Sequence, residues 1–135
     1  MAIYGVGLDL VRIERLQKAL DRWGERFRKR VFTTGELTAC GQRKNQAACL
    51  ALRFAAKEAF VKALGIGMRG PVRWTDVEVR NAPSGKPEIV LSPNAAGFCR
   101  DQRIVSWHLS LTDDGAYGAA VVILEGEEDR PSCSS

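Results

Sequence analysis

The chain of 135 residues has a single histidine, and its four cysteines include no C-x-x-C pair. A structural zinc site needs four closely arranged Cys or His ligands, so this inventory argues against one. Cys40, Cys49, Cys99 and Cys133 stand far apart and read as reduced thiols, either buried or incidental. Long apolar runs are also missing. None approaches the roughly 18 residues that would span a bilayer. The N-terminal stretch MAIYGVGLDLVRIER lacks the basic-then-apolar order of a secretion signal, which leads to the expectation of a cytoplasmic protein. There is no internal repeat and no second core segment, so one domain over residues 1–125 is expected, followed by a charged, small-residue tail, 126–135, expected to be disordered.

What is present is an uneven distribution of charge. Residues 1–70 hold 14 Lys/Arg and 6 Asp/Glu, a net of +8, whereas residues 71–135 hold 6 and 10, a net of −4; the sum is the overall +4. The basic excess is densest from Arg12 to Arg30 and points to an acidic partner: a nucleic acid, a polyphosphate ligand or an acidic protein.

The pattern of side chains predicts a strand from Ala2 to about Leu8, closing near Asp9, then a helix carrying Leu10, Ile13, Leu16 and Leu20. Thr33 and Glu36 have capping-box spacing at the head of a short helix ending near Cys40. Asn45 is placed to cap a long helix that stops at Gly65. A Gly/Pro-rich loop follows, then a hairpin of WTDVEVRN and PEIVLS, a short helix from Ala95 to Asp101, and two alternating strands, IVSWHLSLT and AYGAAVVILE. Val105, Trp107, Leu109 and Leu111 are expected on one face of the first of these. Helices early and strands late predict an α+β fold, an antiparallel sheet packed against one long and several short helices.

On a helical wheel Leu52, Ala55, Ala56, Ala59, Phe60 and Ala63 form the buried stripe of the long helix. Arg53 and Lys57 flank it on one side; Glu58 and Lys62, an i,i+4 pair, flank it on the other. Asp9, beside the small residues Gly5 and Gly7, is the candidate second carboxylate. Two carboxylates completed by water and phosphate oxygens suit Mg²⁺, and a nearby lysine with a glycine-rich loop suits the phosphates.

The ordered set GLDLVRIER, FTTGE, RFAAKEAFVKALGIG, WTDVEV with GKP, and HLSLTDDGAYGAAVVI resembles the holo-[acyl-carrier-protein] synthases, short bacterial members of the 4′-phosphopantetheinyl transferase superfamily. The resemblance runs from about Ile3 to Glu125 and implies that superfamily's fold. It implies transfer of 4′-phosphopantetheine from coenzyme A to a serine of apo-acyl carrier protein in fatty acid biosynthesis, with adenosine 3′,5′-bisphosphate as co-product. It implies Mg²⁺ on Asp9 and Glu58. Glu58 and Lys62 would be catalytic, the proton going to Glu58 or to a water it orients. Arg53, Lys62, Gly65, Gly67 and Asp113 would bind coenzyme A. Arg15, Arg22 and Arg26 would dock the acidic carrier, and the assembly would be a homotrimer with sites between subunits.

The resemblance departs at Asp113, where many members have histidine, so a histidine base there is excluded; His108 precedes that position on the polar face of a strand. Two rival readings remain open at this stage. A nucleic-acid-binding module would use the basic stretch, although Trp23 and Phe27, its only aromatics, read as packing residues. A non-catalytic scaffold of the same fold would bind the carrier without modifying it.

Overall fold

The structure, a computed structural model, describes residues 1–128. Nine α-helices and strands follow in chain order, with a 3-10 turn, Trp74–Asp76, ahead of the second strand: β1 (Ala2–Arg12), α1 (Ile13–Val31), α2 (Thr34–Gly41), α3 (Gln46–Leu64), β2 (Val77–Asn81), β3 (Pro87–Leu91), α4 (Pro93–Asp101), β4 (Ile104–Asp113) and β5 (Tyr117–Gly126). The strands form two antiparallel sheets, β1-β5-β4 and the hairpin β2-β3. The α+β class is as expected, but the sheet is divided in two, and α1 is as long as α3. Gly24, at φ 59 and ψ −139, breaks α1 into two segments, and the basic stretch after it is helical up to Val31. Gly126 ends β5, and the Glu128 carboxylate lies 2.8 Å from the N-terminal amine. The remaining tail, with Cys133, lies outside the described residues.

β1 runs further than its hydrophobic pattern suggested, because pairing with β5 continues through Asp9↔Ala120 to Arg12↔Tyr117. Leu10 is therefore a strand residue. Side chains of a strand alternate between faces. Val6, Leu8 and Leu10 point outward and are exposed, while Gly7, Asp9 and Val11 point inward and are at least half-buried. The inner face lies directly on α3. A methyl group at Gly7 would sit 1.8 Å from the Ala59 carbonyl oxygen, and one at Gly5 would sit 2.0 Å from that of Ala63. Only glycine permits this approach. In β4 an irregularity between Ile104 and Ser106 upsets the expected alternation: Ile104 and Leu109 are buried, and Val105 faces solvent.

The caps of α2 and α3 form as expected. Thr33 and Glu36 exchange both capping-box bonds, the Asn45 side chain accepts from the Ala48 N–H, and Gly65 closes α3 in the left-handed conformation. Glu36 does more than cap. Its carboxylate also accepts from the Val79 N–H at 2.8 Å and pairs with Lys57 Nζ at 2.8 Å, both side chains fully buried. Lys57 donates further to the carbonyls of Trp74, at 2.9 Å, and Val77. Arg53 is buried as well. The wheel had placed both on a flank of the stripe; in fact β2 and the turn before it cover that side of α3. The tethers of Lys57 meet the condition for burying an ion pair, that each charge has hydrogen-bond partners.

The expectation of reduced thiols fails at one pair. Cys40 at the end of α2 and Cys49 in the first turn of α3 form a disulfide, with Cα atoms 5.5 Å apart. Among the described residues Cys99 is free and buried in the main core.

The seating of β1 on α3 generates a direct expectation. Gly7→Ala should cost about 3 kcal/mol, because an added methyl in a closed contact forces backbone to move. Urea denaturation measures it, and an unchanged midpoint would show that the strand does not approach α3 this closely.

Candidate functional site

The inward pointing of Asp9 brings its carboxylate over the exposed flank of α3. Lys62 Nζ donates to Asp9 Oδ1 at 3.0 Å and to the Leu8 carbonyl at 3.1 Å. Glu58 lies one turn earlier on α3 and is half-buried. Its carboxyl is pushed above the ordinary glutamate range, first by burial and then by the negative charge of Asp9, with Lys62 acting in the opposite sense. The structure therefore gathers Asp9, Glu58 and Lys62 at one place. The i,i+4 partner expected for Glu58 turns instead to Asp9 across the strand-helix contact. Gly65 and Gly67 follow at the C-terminal end of the same helix and are exposed, leaving backbone open beside the cluster.

The fit to a divalent cation follows from the donor set. Two hard carboxylates face one another closely enough for one to raise the other, and a lysine ammonium supplies the positive charge that the pair calls for. Among the described residues no group of three His, Cys, Asp or Glu side chains could hold a metal. A site with two protein carboxylates suits Mg²⁺, which keeps several waters and substrate oxygens, better than a metal that needs a full protein cage.

The other predicted binding residues lie elsewhere. Arg53 and Asp113 line a cavity of about 480 Å³ together with Arg43, Lys44, Asn45 and Cys49. Arg53 gives Nη2 to Asn81 Oδ1 at 3.1 Å and Nη1 to Cys49 Sγ at 3.2 Å, while its buried Nε has no hydrogen-bond partner. Asp113 accepts from the Gly115 N–H at 3.0 Å in the β4–β5 turn. Arg43 and Lys44 are not among the residues that the sequence pattern singles out. Their position directly before the Asn45 cap, two cations at the N-terminus of a long helix, was the available signal for an anion site.

Arg15, Arg22 and Arg26 are all exposed on α1. Arg15 and Asp9 line one groove of about 300 Å³ with Leu16, Ala19, Phe27 and Phe54. Trp23 is not a packing residue: it is 58% exposed, and the Arg22 guanidinium stacks on its ring 4.9 Å from the centroid. Phe27 does pack, edge-on to Phe32. His108 is exposed, with Nε2 2.8 Å from Glu125 Oε1.

Residues 5–122 match the family profile of the 4′-phosphopantetheinyl transferase superfamily. The holo-[acyl-carrier-protein] synthase of Trichlorobacter lovleyi is 47% identical over 123 residues, covering 91% of this chain and 98% of that one. That of Phenylobacterium zucineum is 46% identical, with 98% and 99% covered. Among solved structures, the holo-[acyl-carrier-protein] synthase of Neisseria meningitidis superposes with a TM-score of 0.87 at 36% identity, covering 91% of this chain and 98% of that one. The Bacillus anthracis enzyme, in complex with CoA (3′,5′-ADP), gives 0.78 at 32%, covering 94% and 100%. The chain belongs to the 4′-phosphopantetheinyl transferase superfamily and, within it, to the holo-[acyl-carrier-protein] synthases.

Proposed function

We propose that the chain transfers the 4′-phosphopantetheine arm of coenzyme A to a serine hydroxyl of apo-acyl carrier protein in fatty acid biosynthesis, releasing adenosine 3′,5′-bisphosphate. The observation that carries this reading is the meeting of Asp9, Glu58 and Lys62 at the contact of β1 with α3. The serine oxygen forms a bond to the β-phosphorus of the donor's pyrophosphate, and the bond from that phosphorus to the bridging oxygen breaks.

Asp9 and Glu58 would hold Mg²⁺, which when bound offsets the negative charge that builds on the pyrophosphate. Lys62 is half-exposed, so its ammonium is free to turn from Asp9 to a donor phosphate and stabilise the leaving oxygen. Glu58 accepts the serine proton, directly or through one water that it orients; direct ligation of the metal would lower its basicity and favour the water. Gly65 and Gly67 let backbone approach the phosphates. Arg53, with its unpartnered Nε, and Asp113 hold the nucleotide end of the donor alongside Arg43 and Lys44.

Arg15, Arg22 and Arg26 dock the acidic carrier. Because Arg15 and Asp9 share a groove, a carrier held there presents its serine beside the cluster. Complementary charge of this kind accelerates encounter and weakens with salt.

The donor site is divided within one chain. Arg53 faces β2, while Glu58 and Lys62 face β1 on the opposite side of α3. A second copy would bring one chain's basic cavity to another's acidic cluster. The outer face of β1 is suited to that contact, since Val6, Leu8 and Leu10 are 55%, 65% and 67% exposed on an edge strand. The assembly is a homotrimer, with each site shared between neighbours. No helix among the described residues is long and apolar enough to cross a membrane, and the protein works in the cytoplasm with its carrier.

Asp9→Ala and Glu58→Ala should each abolish transfer, and chelation of divalent cations should do the same to the unmodified protein. The assay is the mass gain of one phosphopantetheine on apo-acyl carrier protein, with circular dichroism to establish that the variants fold; near-normal turnover in either would remove the cluster from the mechanism. Arg15→Ala and Arg22→Ala should raise KM for the carrier several-fold and leave KM for coenzyme A nearly unchanged, about 1 kcal/mol for each exposed contact. Equal losses for both substrates would contradict a docking role. Light scattering at micromolar concentration should give three times the chain mass, and a monomer would refute the shared site.

A further inference from the structure

The Cys40–Cys49 disulfide spans the segment that carries Arg43, Lys44 and Asn45, and these three residues form one wall of the cavity that also holds Arg53. The bond ties both ends of this segment down, one to α2 and the other to α3. Cys40 is fully buried, whereas Cys49, 8% exposed, lines the cavity, which makes the cavity side the route by which a reductant would meet the bond. Arg53 Nη1 lies 3.2 Å from that sulfur. An intracellular disulfide is more often a redox sensor than a structural staple.

We propose that the Cys40–Cys49 bond is a redox switch that sets the affinity of this basic cavity for the anionic nucleotide end of coenzyme A, high when the bond is closed and low when it is open. The inference rests on the reading above that the cavity takes the donor. A dithiol reductant supplies the electrons. Its thiolate attacks Cys49 Sγ, the Cys40–Cys49 bond breaks, and Cys40 leaves as a thiolate that takes up a proton. The reductant's second thiol, giving its proton to solvent, then displaces Cys49 as a thiolate, so two electrons and one proton reach the protein and the reductant becomes an internal disulfide.

Two consequences follow for the cavity. The segment bearing Arg43 and Lys44 loses its tie and with it the pre-organisation that lowers the entropy cost of binding. The freed Cys49 sulfur, next to the Arg53 guanidinium, is stabilised as a thiolate. That new negative charge engages Arg53 and cancels part of the positive charge facing the ligand.

The test uses the full chain in two states, air-oxidised and held in excess dithiothreitol, with adenosine 3′,5′-bisphosphate as the probe because it carries no thiol. Thiol titration in denaturant should find two of the four cysteines reactive in the oxidised state and all four in the reduced state. Calorimetry should give a Kd about tenfold higher for the reduced protein, within the usual range of coupling between sites. By linkage the probe should then make the midpoint potential of the pair about 30 mV more negative. A Cys40→Ser, Cys49→Ser double variant, which lacks the tie but not the positive charge, should bind more weakly than the oxidised protein with a Kd that dithiothreitol does not change, and Cys99→Ser should keep the full difference. Four reactive thiols after air oxidation, or equal Kd values in the two states, would overturn the switch. Binding in neither state would remove the donor reading of the cavity, and the switch with it.

Discussion

The contact of β1 with α3 depends on two missing methyl groups. Gly5 and Gly7 let a strand lie against the carbonyl oxygens of Ala63 and Ala59. At that separation the next inward residue, Asp9, reaches Lys62, and its negative charge acts on the Glu58 carboxyl. If larger residues stood at 5 and 7, strand and helix would separate by the width of a side chain and Asp9 would no longer reach Lys62. The alanines of α3 serve the same end from the helix side: Ala55, Ala56 and Ala59 are fully buried and keep the helix surface low.

Charges on α3 divide by what lies over them. Lys57 is enclosed and fully tethered, by Glu36 and two backbone carbonyls, so it joins α2, α3 and the start of β2. Its partner also holds the Val79 N–H, so one carboxylate caps a helix, pairs a lysine and ends a sheet edge. Lys62, five residues on, is half-exposed and movable. The first lysine has no freedom to act on a substrate, and the second has no packing to restrain it.

Much of this was legible in the sequence where the signal is local. The capping box at Thr33, the Asn45 cap, the Gly65 stop and the hairpin depend on a few adjacent residues, and each formed where expected. Glu58 and Lys62 stand out because the i,i+4 spacing puts a charge pair at the edge of an apolar stripe, and Asp9 because it closes a strand beside two glycines; the resemblance to the family, not the spacing, assigns their roles. What failed depends on partners distant in the chain. The length of β1 is set by β5, more than a hundred residues later, so a local pattern ended it too early. The burial of Arg53 and Lys57 is set by β2, which the wheel of an isolated helix cannot include. Cys40 and Cys49 are nine apart in sequence, and only the turn between α2 and α3 brings them together.

The alternation of β1 has a cost that substitutions alone do not reveal. One face of the strand carries Asp9 toward the helix, and the other carries Val6, Leu8 and Leu10 toward solvent. Deleting one residue ahead of Asp9 would exchange the two sets, placing a leucine beside Lys62 and a carboxylate on the apolar surface. Sliding by two would restore the faces but move the acid about 7 Å along α3. The irregular pairing at Ile3 and Gly5 lies upstream of all these residues, where a length change is absorbed before the reading frame of the strand begins to matter.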